Sequence, residues 1–167
     1  MEKPKRARRR KLDTSQGGPG ADPGSFPEGR EFNVFRDSAA SGYVFDHWPT
    51  PILFSGVEIG RKIKSGLPLV QDPVIQNSPV KDVFRISLPQ AAEDRQGRSS
   101  WDETAVLIAI AGVKPWYSVK QGIIHVLSDG SNTWEASAFG KQGYIIESRP
   151  VSEVQDLINA LIMHQPL

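Results

Sequence analysis

A helix-like stretch after Asp37 gives way to the short apolar run Pro51-Ile52-Leu53-Phe54-Ser55-Gly56, bounded by proline and glycine. That alternation favours an α/β architecture for the globular part. Asp37 is placed to cap a helix over 38–45, with Ala39, Ala40, Tyr43 and Val44 as its apolar face. The run 51–56 is expected as a buried strand. Segments 57–64 and 68–76 carry no decisive pattern. Residues 80–88 are expected as a helix, although β-branched residues lower its propensity, and 91–98 as a polar surface loop.

The strongest helix pattern spans 101–111. Ser99 or Ser100 is positioned to cap it, Asp102 and Glu103 suit the positive end of its dipole, and Gly112 ends it. Downstream, 123–127 and 133–135 read as two strands joined by the turn Asp129-Gly130-Ser131-Asn132, and 143–147 as another strand. An amphipathic helix after Ser152 runs to about Met163. It presents Val154, Leu157, Ile158, Leu161 and Ile162 on one side.

Residues 1–29 stand apart. Seven of the chain's 20 basic residues fall within the first twelve positions, opposed there by Glu2 alone, so the remainder is net acidic. Gln16-Gly17-Gly18-Pro19-Gly20 and Asp22-Pro23-Gly24-Ser25 oppose both helix and strand. A disordered basic tail over 1–29 and an α/β region over 30–167 are expected. The basic run has the character of a phosphate-binding or nuclear-signal segment. It lacks interleaved aromatics and an attached nucleic-acid fold, so a solvated tail is favoured and nucleic acid is not an expected partner.

Composition narrows the chemistry further. The chain has 167 residues and no cysteine, which excludes disulfides, thiolate metal sites and cysteine nucleophiles. No uninterrupted apolar run approaches the roughly 20 residues of a membrane span. No apolar segment follows the N-terminal charges, as a secretory signal requires. A cytoplasmic protein with no membrane partner is expected. His47, His125 and His164 are scattered without metal-ligand spacing, and no Gly-x-Ser-x-Gly elbow occurs.

Glu31 and Asn33 flank Phe32. In an extended segment they would share a face while Phe32 points into the core. A carboxylate and an amide side by side accept from and donate to adjacent sugar hydroxyls. The same tripeptide is also an ordinary surface pair around a buried aromatic. Asp102, in the first turn of a helix, has the bland reading of a dipole-compensating group. Trp101 has that of a packing aromatic.

The order of these motifs adds to the reading. Segment 24–40, containing Glu31-Phe32-Asn33 followed by Asp37 and paired alanines, resembles the C-terminal half of the inosine-uridine preferring nucleoside hydrolases. So do the strand 51–56, the helix start Ser99-Ser100-Trp101-Asp102-Glu103-Thr104-Ala105-Val106-Leu107, and the turn 129–134 with the last helix. The resemblance covers roughly residues 24–166. It implies a partial Rossmann-like sheet with flanking helices. It also implies calcium-dependent hydrolysis of a ribonucleoside's N-glycosidic bond to ribose and free base. Glu31 and Asn33 would bind ribose, Asp102 would be a calcium ligand, and Trp101 would line the base pocket.

Two departures matter. Trp101 stands where the family has a histidine that protonates the departing base, and an indole cannot deliver a proton near neutral pH. The family's aspartate-rich calcium loop has no counterpart before Glu31, where Glu2, Asp13, Asp22 and Glu28 are unclustered. Calcium takes about six to eight oxygens, so Asp102 alone cannot hold it. The first half of the sheet would be missing too, exposing an apolar edge. A truncated form with little or no activity alone is therefore expected, unstable by itself or paired with a second copy or a missing N-terminal half. The alternative is a non-catalytic ribose- or nucleoside-binding protein on the same scaffold.

Overall fold

The computed structural model describes residues 29–165. The basic tail expected over 1–29 lies outside them except for Gly29, which pairs antiparallel with Asn132. The fold is mixed α/β: a mixed four-stranded sheet with helices on both sides. In chain order the elements are α1 (Phe32–Arg36), α2 (Ser38–His47), β1 (Ile52–Phe54), α3 (Val57–Gly60), β2 (Lys64–Ser65), α4 (Leu67–Gln71) and α5 (Pro79–Ser87). They continue with β3 (Arg98–Ser99), α6 (Trp101–Ala111), β4 (Tyr117–Val126), β5 (Asn132–Ala136), β6 (Gln142–Glu147) and α7 (Val151–Ile162).

The sheet order is β1-β6-β4-β5. β1 runs parallel to β6, with Leu53 opposite Gly143. β6 with β4 and β4 with β5 are antiparallel, with Ile124 opposite Trp134. β2 and β3 form a separate two-stranded ribbon. No helix among the described residues is long and apolar enough to cross a membrane.

Strand alternation sends successive side chains to opposite faces. On one face Ile145 and Tyr117 join Ile59 of α3, Leu107 and Ile108 of α6, and Val154 and Ile158 of α7 in the main core. Beside it Leu69, Ile75, Phe84 and Leu88 form a second cluster against Ile162 and Met163. On the other face α2 lies over β4. Gln142 pins it there: its Nε2 donates to the Phe45 carbonyl at 2.8 Å, and its Oε1 accepts from Ile124 N–H at 2.6 Å. Phe45 meets Phe54 edge-to-face at 5.1 Å, and Trp134 meets Tyr144 at 4.8 Å.

Several expectations hold. The pattern over 101–111 is α6, ended by Gly112 at φ +82°. Asp37 caps α2 by accepting from Ala40 N–H at 3.0 Å. The segment expected as a helix over 80–88 is α5, capped by Ser78 with proline in its first turn.

Others are corrected. Glu31-Phe32-Asn33 is not extended: Glu31 caps α1, so Phe32 and Asn33 lie in a helical turn. Val34, not Phe32, is buried, and Phe32 is 47% exposed. The face of α2 expected to be apolar points outward, with Ala39, Ala40, Tyr43 and Val44 exposed. Its packed side is Ser41, Gly42 and Phe45, because Gly42 lies close against Val126 of β4 and Phe45 reaches Phe54. The strand β1 is an edge rather than a buried strand, with Leu53 41% exposed. Ser99 and Ser100 do not cap α6 through their side chains. The loop 91–98 is not wholly superficial: Asp94 is buried and its Oδ2 lies 2.6 Å from Arg98 Nη1.

Candidate functional site

A cavity of about 390 Å³ opens where α1, α2 and the carboxyl end of β1 converge. That volume falls within the range of roughly 300–1,000 Å³ usual for small-molecule sites. Its polar lining residues are Glu31, Asn33, Ser41, Ser55 and Asn132, and its apolar ones include Phe45, Phe54, Val57 and Ile124. Sequence produces this mixed lining locally. The α1 cap places Glu31, the i,i+4 pair Ser41 and Phe45 shares one side of α2, and Gly56 breaks β1 directly after Ser55.

The polar lining is internally ordered. Glu31 Oε2 accepts from Val34 N–H at 2.9 Å, and Oε1 accepts from Asn33 Nδ2 at 3.3 Å. Behind them the buried Asn132 Oδ1 accepts from Glu31 N–H at 3.3 Å. Ser55 Oγ is buried and has no hydrogen-bond partner among the described groups. Among the described residues that line the cavity, none is Lys, Arg or His. Its only formal charge is that of Glu31. A carboxylate offers about four lone-pair sites, so Glu31 retains acceptor capacity beyond its two internal bonds.

Glu58 lies beside this lining. A Cβ built on Gly56 would stand 2.3 Å from Glu58 Oε2, so the carboxyl occupies the space beside Gly56. That oxygen is buried without a partner. Burial pushes the Glu58 carboxyl above its ordinary range, while its own backbone N–H and nearby Lys62 pull the other way. Lys62 itself is engaged by Glu147 at 2.8 Å.

The structure brings Glu31 and Asn33 together in the lining and places the other two expected residues elsewhere. Trp101 does not line the cavity. Its indole Nε1 donates to the Val57 carbonyl at 3.3 Å, and Val57 is a wall residue. Gly60 lets α3 approach this point, since a Cβ there would lie 2.5 Å from Trp101 Cα. Arg98 covers the indole, its guanidinium carbon 5.7 Å from the ring centroid. Asp102 follows as an exposed residue in the first turn of α6 and does not line the cavity.

Among the described residues no group of three or more His, Asp or Glu is arranged to hold a metal ion. Asp102 supplies a small part of the roughly six to eight oxygens calcium takes. The described donor set therefore does not fit a calcium centre. Two of the three histidines make side-chain contacts: His47 Nδ1 lies 2.8 Å from the Tyr43 carbonyl, and His125 Nε2 lies 2.9 Å from Glu135 Oε2.

Sequence reasoning missed Ser55, Ser41 and Asn132 as wall residues. Ser55 carried a weak signal, a hydroxyl between a strand and a glycine. Asn132 carried none beyond its turn, because its burial comes from pairing with Gly29 far away in sequence. Compared with known proteins, the chain matches no family model, no curated protein and no solved structure.

Proposed function

We propose that the cavity binds the ribosyl group of a nucleoside and that the chain is nucleoside hydrolase-like, part of a Rossmann-like sheet that would continue beyond β1. The observation that carries this is the pairing of Asn33 Nδ2 with Glu31 Oε1 at 3.3 Å in a cavity also lined by Phe45, Phe54, Val57 and Ile124. A nucleoside has the matching division, hydroxyls on the sugar and an aromatic base. Glu31 accepts from sugar hydroxyls, and Asn33 offers an amide donor and an acceptor. Phe45, Phe54 and Val57 shield the apolar side from water. The cavity also lies at the carboxyl end of a parallel strand, the usual place for ligands on α/β sheets.

The reaction implied by the resemblance is nucleoside plus water giving ribose and free base. The described residues would bind and orient the sugar. Among the described lining residues only Glu31 could carry a proton to the leaving base, and its oxygens are engaged by Val34 and Asn33; the described donor set does not fit calcium. The chain alone is therefore expected to turn over little or no nucleoside. The second reading is a riboside-binding protein without catalysis. It is favoured by the engagement of the Trp101 indole N–H with Val57 rather than with an open site.

Calorimetric titration of the full chain with D-ribose, inosine and uridine tests binding. Saturable binding that weakens in Asn33→Ala is expected. Absence of binding for all three ligands would overturn the ribosyl reading. Release of free base on incubation with calcium, abolished by a chelator, would overturn the expected inactivity and displace the binding-only reading.

A further inference from the structure

We propose that Asn132 is the positioning residue of this cavity: its side chain, reaching from β5, holds Glu31, and through it Asn33, in the arrangement that meets the sugar. The inference rests on the ribosyl reading and deepens it. Asn132 acts through Glu31 and needs no contact with the ligand.

The pair requires an anchor outside its own helix. Glu31 is bonded to Asn33 and to Val34 N–H, and these contacts fix the pair only relative to α1. With five residues, α1 is too short to be stable by itself. The N–H groups at a helix start have no partner inside the helix. That of Glu31 is met from β5, by Asn132 Oδ1 at 3.3 Å. Asn132 also holds Gly29 through its backbone. Gly29 N–H donates to the Asn132 carbonyl at 3.3 Å, and Asn132 N–H donates back at 2.7 Å. One residue of β5 thus grips the incoming chain on both sides of Arg30.

Asn132 itself has little room to move. It is 2% exposed and stands in register with Val126 of β4. The turn before it is closed by Leu127 N–H donating to the Ser131 carbonyl at 2.8 Å. Asp129 Oδ1 accepts from Ser131 N–H at 3.0 Å and from the Ser131 hydroxyl at 2.6 Å. Gly130, at φ +81°, lies against Phe35 of α1, where a Cβ would stand 2.6 Å from the ring. A further polar tie is looser: Arg30 Nη2 lies 3.6 Å from Asp129 Oδ2, with both side chains more than half exposed. An exposed pair of that length contributes little. Of these ties to the turn, that of the Asn132 side chain is the one that reaches Glu31. A binding group fixed by a buried, hydrogen-bonded neighbour is held ready for its ligand.

The test titrates inosine into full-length wild type, Asn132→Ala, Asn132→Asp and Arg30→Ala. Proton–nitrogen NMR without ligand follows the Glu31 backbone amide and the Asn33 side-chain amide. Asn132→Ala is expected to weaken inosine binding about tenfold, the effect of one hydrogen bond, and to move both resonances. Asn132→Asp keeps the accepting oxygen, and inosine carries no charge for the new carboxylate to repel. Its affinity should return to within about threefold of wild type. Arg30→Ala loosens the same segment without touching the Glu31 N–H and should stay within about twofold. Asn132→Val, which suits a strand but offers no acceptor, takes the place of alanine if that variant does not fold.

Unchanged inosine affinity in Asn132→Ala, with wild type still binding, overturns the role of Asn132 and leaves the ribosyl reading standing. An equal loss in Asn132→Asp overturns it too, since the accepting oxygen would then not be what matters. So does an equal loss in Arg30→Ala, which would mean that any loosening of the segment suffices. Glu31 and Asn33 resonances that do not move in Asn132→Ala overturn it whatever the affinity. Wild type that does not bind inosine overturns the ribosyl reading and this inference with it.

Discussion

Both carboxylate oxygens of Glu31 are engaged within the protein, one capping α1 and one holding Asn33. Truncating it to alanine therefore disturbs two things at once, and any loss of binding would be ambiguous. Glu31→Gln separates them. Its amide oxygen can still accept from Val34 N–H, but the charge is gone and its NH2 faces the Asn33 amide. Glu31→Ala is expected to cost about 1 kcal/mol of folding stability, the usual range for a lost cap. Glu31→Gln should stay within about 0.5 kcal/mol while still weakening riboside binding. Urea denaturation beside calorimetry checks both. Equal destabilisation by the two variants would show that the carboxylate, not the cap, holds α1.

Glu58 makes a different prediction, in pH. Its folded-state pKa lies above its ordinary value of 4.5 because burial penalises the charged form. The folded state thus holds that proton more tightly than the unfolded chain. The resulting stability is fully present below the ordinary value and is lost as pH rises through the folded one. At neutral pH the ionised group opposes folding. Glu58→Gln, neutral throughout, should melt higher than wild type at pH 7.5. The gap should close as pH falls toward about 4.5, where free Glu itself takes up a proton. A gap that does not change with pH would mean that Gln acts by packing rather than by removing charge.

At the level of elements, α2 carries Ser41 and Phe45 into the cavity and depends on Asp37 for its start. Asp37→Ala is expected to cost about 1 kcal/mol with little change in the urea slope. It should also weaken riboside binding slightly, since the first turn of α2 bears on Ser41. Loss of cooperativity instead would show that α1 and α2 can unfold separately from the sheet. The Asp37 cap was legible in sequence because a cap and its helix are neighbours in the chain. The helix α6 was legible for the same reason, as an apolar run with acidic residues at its start and glycine at its end. The packed side of α2 was not legible. Tyr43 and Val44 are the apolar residues, yet Gly42 and Phe45 face the sheet, where they meet Val126 and Phe54, contacts that are distant in sequence. Glu31 and Asn33 were recognised as a pair, but their geometry was misjudged. The cap that turns them into a helix uses the same carboxylate that was read as a ligand group.

At the level of the whole molecule, β1 ends the sheet order with one side unpaired among the described residues, and an unpaired strand edge is a template for another chain. Leu53 on that strand is 41% exposed. The helix α6 is apolar on both sides: Leu107 and Ile108 enter the core, whereas Val106 and Ile110 face outward, Ile110 at 83% exposure. A helix apolar all round is ordinarily buried. These features give physical content to the expected pairing with a second copy. The wild-type chain should therefore self-associate as its concentration rises, in sedimentation velocity at moderate salt. Leu53→Lys places a charge on the strand edge, and Ile110→Lys places one on the outer face of α6. Ile110 is in solvent, so its variant should change folding stability by no more than about 0.5 kcal/mol, whereas Leu53 is more than half covered and its variant should cost about 1 kcal/mol. Leu53→Lys should suppress association most if the strand edge is the seam, and Ile110→Lys if the helix face is. A wild-type chain that stays monomeric across the range would show that these apolar groups tolerate water without a partner. Association that persists in both variants would place the seam on another surface of the molecule.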